Sequence, residues 1–174
     1  MSTVRISFTP DAAYVRTVRT VAVAIARRAG VAAELLDEVR LAIGEACTRA
    51  IGVHRRAGWA DPIEVAMSLG DAGRFTVGVI DRGSADAARK EQAGGAGEIV
   101  ARATVAASGE DTGRSLLDEE LLTIGVGLAL LGGLAADLVV DDDPEGHGTQ
   151  VRMSWPVPNQ RSGTRTSAAK RARR

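Results

Sequence analysis

The sequence predicts an α+β fold, a two-layer sandwich in which a mixed, mostly antiparallel sheet carries its helices on one face. Three observations lead there. Apolar residues alternate with polar ones over four short stretches, the period of half-buried strands, and Leu138 to Asp141 makes a fifth strand stretch. Four of these five stretches form two neighbouring pairs joined by turn residues, so each pair reads as a hairpin. Between the first strand and the first hairpin lie two segments with apolar residues at helical spacing. The resulting order is β-α-α-β-β-(loop)-α-β-β, and a sheet of this kind buries one face beneath its helices.

Val4, Ile6 and Phe8 alternate with polar residues and open the chain as a strand. Pro10-Asp11 punctuates a turn and caps a helix whose apolar residues run from Tyr14 and Val15 to Ala26, with Gly30 as its stop. The next helix follows at once, so the two pack as a hairpin. This second helix is read over residues 34–51. Leu35, Val39, Ala42, Ile43, Ala46, Ala50 and Val53 fall in one stripe, with Leu36 and Cys47 beside it. Glu38, Glu45 and Arg49 stack along the opposite margin, where charges can line a pocket between the helix and whatever it covers. Taken alone, Glu45 and Arg49 are an i,i+4 surface pair worth a few tenths of a kcal/mol.

Residues 54–62 read as a polar loop, His54 included, with Gly58, Asp61 and Pro62 as breakers. Ile63, Val65, Met67 and Leu69 then alternate, Gly70-Asp71-Ala72-Gly73 turns, and Phe75, Val77 and Val79 return into Ile80-Asp81-Arg82-Gly83. From Ser84 to about Thr123 the chain becomes rich in Ala, Gly and charge, with short helical fragments near 98–106 and 116–122. A loop this long inside a compact domain is either disordered or functional, often as a lid. Gly125-Val126-Gly127-Leu128 opens a helix running to about Ala136. Two last strands follow, Leu138 to Asp141 and Thr149 to Trp155, around an Asp142–Gly148 loop. Residues 1–156 are therefore one domain with a flexible insert at about 84–123, and 157–174 a disordered basic tail.

Composition excludes several classes. A 174-residue chain that is 45% hydrophobic is long enough for a core, which its 3% aromatic content leaves to Ala, Val, Leu and Ile. Zero formal net charge provides no global field toward nucleic acid or an anionic membrane. The start lacks a signal pattern, and the apolar stretch at 124–140 is interrupted by glycines and Asp137, so no membrane span is expected. Cys47 is the single cysteine, which excludes an intrachain disulfide and suits a cytoplasmic location.

Three separated pieces carry chemistry. Glu45-x-x-x-Arg49 lies on the central helix. Asp81-x-Gly83 closes a strand, where a carboxylate can accept from an exocyclic amine and a glycine lets backbone approach a flat ring. Gly125-x-Gly127-Leu128 opens a helix, whose free N–H groups and dipole favour phosphate.

In this order the pieces resemble the ATP-binding domain of the gyrase, histidine-kinase and chaperone ATPase (GHKL) superfamily. Within it they are most similar to the bacterial anti-sigma factor serine kinases of the RsbW type. Leu41-Ala42-Ile43-Gly44-Glu45-Ala46-Cys47-Thr48 resembles their N-box helix, Val77–Gly83 their first glycine box, and Gly125–Leu131 followed by Gly148-Thr149 their second. The resemblance spans roughly residues 4–155.

It implies a histidine-kinase-like ATPase fold, ATP as cofactor and serine/threonine kinase activity with Glu45 as base. Asp81 would read adenine, with Thr149 sharing a water beside it. Gly83, Gly125, Gly127 and Leu128 would complete the nucleotide site. It also implies partner switching between a sigma factor and a STAS-type anti-anti-sigma factor in a bacterium, with a homodimer allowed.

Two positions depart from the family pattern. Arg49 stands where the family has its Mg²⁺-binding asparagine, and a guanidinium has five donors and no acceptor, so it cannot ligate a cation. Arg49 could bind the triphosphate directly, or pair with Glu45 and close the site. No metal ligand is therefore assigned, and weak or lost transfer is expected. Ser84-Ala85 also follows Gly83 where the family often continues with a further glycine. The alternative is a catalytically inactive protein-binding module that docks a STAS-type partner without nucleotide turnover.

Overall fold

A computed structural model describes residues 2–69, 73–93, 131–146 and 148–158. Strand β1 (Thr3–Phe8) is followed by a 3-10 turn that Asp11 starts by accepting from the Ala13 N–H at 2.8 Å. Helix α1 (Val15–Ala29) ends at Gly30, whose φ of 94° no bulkier residue adopts cheaply. Helix α2 (Leu36–Ala57) follows a second short 3-10 turn and packs along α1. Strands β2 (Ile63–Leu69) and β3 (Arg74–Asp81) form the first hairpin. Helix α3 (Ala85–Ala93) comes next, and β4 (Asp137–Asp142) with β5 (Thr149–Pro156) forms the second hairpin.

The sheet order is β1-β2-β3-β5-β4, with every neighbouring pair antiparallel. The chain passes from β3 to the edge strand β4 before β5 turns back between them. That return sets the start of β5 against the end of β3, with Asp81 opposite Thr149.

Alternation decides which face is buried. Val65 and Met67, Phe75, Val77 and Val79, and Val151, Met153 and Trp155 are all buried against Val18, Ala22, Val39, Ile43, Ala46 and Ala50 of the first two helices. Trp155 also packs on Phe75, with ring centroids 6.2 Å apart, and its indole N–H donates to the Leu134 carbonyl at 3.0 Å. The intervening residues form a polar face, where Arg74 pairs with Asp137 at 2.6 Å and Arg152 with Asp141 at 3.2 Å. Such exposed pairs contribute at most about 1 kcal/mol each. Among the described residues no helix is long and apolar enough to cross a membrane.

The expected α+β sandwich is thus present, with three differences in its elements. Helix α2 runs to Ala57 rather than ending at Ile51, because its buried positions continue through Gly52 and His54 and the backbone turns left-handed only at Gly58, with φ 69°. His54 consequently lies inside the helix and is fully buried, not in a polar loop. Where the insert was expected to begin, Ser84 accepts from the Ala88 N–H and α3 forms, with Ala85 and Ala88 buried and Asp86 paired to Arg89.

Most of the remaining insert, the helical fragments expected there, Gly125, Gly127 and Leu128, and all but the first two residues of the tail lie outside the described residues. The described end of the helix expected up to Ala136 is helical over 131–134.

Candidate functional site

Four of the residues singled out from sequence meet where α2 crosses the ends of β3 and β5. Arg49 lies in the middle of α2, a turn after Glu45. Asp81 is the last residue of β3, Gly83 lies just beyond it, and Thr149 opens β5.

The centre is a buried ion pair. Arg49 Nη1 donates to Asp81 Oδ2 at 2.6 Å, and the two side chains are 2% and 1% exposed. This overturns the helix-surface reading. Arg49 is not a margin charge stacked on Glu45; its guanidinium turns inward to a carboxylate 32 residues away in sequence. Glu45 stays half-buried and takes part in no ion pair among the described residues. The physical reason is the low dielectric under the helix. A carboxylate buried at the end of β3 needs a counter-charge, and Arg49 is placed to give it.

The second oxygen of Asp81 is engaged as well. Oδ1 accepts from the Gly83 N–H at 2.6 Å. Burial pushes the Asp81 carboxyl above the usual carboxylate range, while Arg49 and the Gly83 N–H pull it back. Thr149 is fully buried, and its Oγ1 donates to the Gly83 carbonyl at 2.8 Å, so the hydroxyl proton is directed at the turn.

Two glycines make this packing fit. A Cβ on Gly83 would stand 2.6 Å from Asp81 Oδ1 and 2.9 Å from Val53 Cγ1. A Cβ on Gly148, whose φ is 147°, would run into the backbone carbonyl of Asp81. A charged pocket of about 250 Å³ opens among Arg5, Glu64, Ile80, Arg82 and Glu145, with Asp81 at its wall.

A family model described as the histidine kinase-like ATPase domain matches residues 8–155. The chain belongs to the histidine kinase-like ATPase family. No curated protein matches it.

Within that family the site can be tested for what it would hold. Asp81 has the chemistry of an amine acceptor, but both of its oxygens already have donors and its side chain is closed from solvent. An adenine amine would reach it only after Arg49 moved aside. Mg²⁺ fits this position less well, because Arg49 brings positive charge and no lone pair. Among the described residues no group of three His, Cys, Asp or Glu side chains is placed to hold a metal ion.

Sequence reasoning also missed a residue. His54 Nε2 accepts from the Arg82 N–H at 3.1 Å, directly beside Asp81. The available signal was Val53, which continues the apolar stripe of α2 past Gly52 and so carries the helix toward Gly58.

Proposed function

We propose that this histidine kinase-like ATPase family member is a regulator of the anti-sigma type. It controls a bacterial sigma factor by partner switching with a STAS-type anti-anti-sigma factor, and it works by docking its partners rather than by Mg²⁺-dependent phosphoryl transfer. The observation that carries this reading is the Arg49–Asp81 ion pair, buried and 2.6 Å long. It engages the carboxylate expected to accept from adenine, and Arg49 itself offers no lone pair to the metal that phosphoryl transfer uses to bridge oxygens and offset developing charge.

A second reading keeps nucleotide binding. Asp81, Gly83 and Thr149 still converge on one turn, and their arrangement supports an ATP-responsive regulator in which Arg49 exchanges Asp81 for the phosphates. A guanidinium suits phosphate oxygens, and charge attraction would replace part of what the metal provides.

The two readings separate in one experiment. Purified protein is mixed with its cognate STAS-type domain, ATP and Mg²⁺, and both complex formation and phosphate incorporation are measured. The docking reading expects a stable complex without phosphate on the partner, whether or not nucleotide is present. A complex that forms only with ATP favours the second reading. Robust Mg²⁺-dependent incorporation contradicts both.

A further inference from the structure

The last turns of α2 carry a group that the proposed function leaves unused. His54 is fully buried, and Trp59 covers its ring edge-on, with centroids 5.7 Å apart. Its Nε2 takes the backbone N–H of Arg82, the residue between Asp81 and Gly83. That short turn is held by side chains at successive peptide groups. The Arg82 amide goes to His54, the Gly83 amide goes to Asp81 Oδ1, and the Gly83 carbonyl receives the Thr149 hydroxyl. Asp81 holds its own turn and Thr149 comes from the neighbouring strand, whereas His54 comes from the helical layer above.

The other ring nitrogen explains why this is more than packing. With Nε2 accepting, the proton of the neutral ring is on Nδ1. Nδ1 is buried and has no hydrogen-bond partner among the described residues. A buried N–H without an acceptor is unfavourable, and a leucine or phenylalanine would occupy similar space without that penalty. The acceptor at Nε2 is what an apolar side chain would fail to supply.

We infer that His54 is a positioning residue for the Asp81–Gly83 turn. It acts through the Arg82 amide and touches no ligand itself. Arg49 and His54 stand on the same helix and grip consecutive residues of the turn, one by the Asp81 carboxylate and the other by the Arg82 backbone. Helix α2 therefore sets both the position and the orientation of Asp81, and a displacement of its last turns is passed to that carboxylate. The inference rests on Asp81 being the centre of the functional site. It does not depend on whether phosphate is transferred, so its test reads the turn directly.

The experiment is nitrogen-15 NMR on the full chain, comparing wild type with His54→Leu and His54→Gln. In wild type the imidazole should show protonated Nδ1 and bare Nε2, and the Arg82 amide should exchange slowly with solvent. His54→Leu should speed exchange at Arg82 and Gly83 by about tenfold or more while Val79 and Val151 keep their rates. His54→Gln, whose Oε1 falls near the place of Nε2, should restore protection at Arg82. A protonated Nε2 in wild type overturns the inference. So does a leucine variant that leaves Arg82 unchanged or loosens all four amides alike. If the leucine variant fails to fold, the wild-type tautomer and the glutamine variant decide: loss of Arg82 protection in a folded glutamine variant also overturns it.

Discussion

A single side chain changes how the site reads. The i,i+4 spacing of Glu45 and Arg49 suggests a helix-surface pair, yet the guanidinium goes to Asp81 under the helix, where burial makes a charge partner far more consequential. Removing either member leaves the other charged and buried. Arg49→Met and Asp81→Leu should each destabilise the fold by about 3–5 kcal/mol. The double variant should lose less than the sum of the two, by about 1 kcal/mol or more. Urea denaturation of the four proteins measures this coupling, and simple additivity would show that the pair is not a unit. Cys47 provides a second check at this scale. Burial pushes its thiol up to about 12, although Arg19 pulls it down. Native protein should therefore resist thiol reagents at about pH 8, with labelling appearing only on unfolding. Because the folded thiol holds its proton longer than the unfolded one, this group's contribution to stability falls as pH rises past about 8.5. Rapid labelling of native protein would contradict the burial.

Helix α2 shows what the sequence made legible and what it did not. Its existence, its apolar stripe and its hairpin with α1 follow from spacing, since Val39, Ala42, Ile43, Ala46 and Ala50 are all buried as the wheel requires. Its end did not follow, because His54, Arg55 and Arg56 look like loop residues when polarity alone is weighed. The polarity of His54 is used instead inside the fold, on the Arg82 amide. Two glycine substitutions test the local geometry. At Gly58 a side chain meets nothing within 4 Å, so Gly58→Ala carries only the left-handed backbone penalty, about 1–2 kcal/mol. At Gly148 the added methyl meets the backbone of Asp81 as well, so Gly148→Ala should cost clearly more. Thermal or urea unfolding ranks the two, and equal losses would mean that the close approach at Asp81 is not maintained in solution.

Across the whole molecule, period-two alternation revealed the strands and their hairpins, so the antiparallel sandwich was legible. Alternation says nothing about strand order, however. The placement of β5 between β3 and β4 brings Thr149 to Asp81, and that neighbourhood depends on the path of the chain rather than on any local pattern. The resemblance of three motifs named the family, and the match over residues 8–155 agrees with it. What no motif disclosed is that Arg49 pairs with Asp81 beneath the helix. The most direct measurement is calorimetric titration of ATP into wild-type protein and Arg49→Asn, each with and without Mg²⁺. If Arg49 seals Asp81 and excludes the metal, Mg²⁺ should change wild-type affinity by no more than about twofold, while the asparagine variant should gain about tenfold or more from it. Wild-type binding that tightens about tenfold with Mg²⁺ would contradict the central claim, because another group would then be holding the metal.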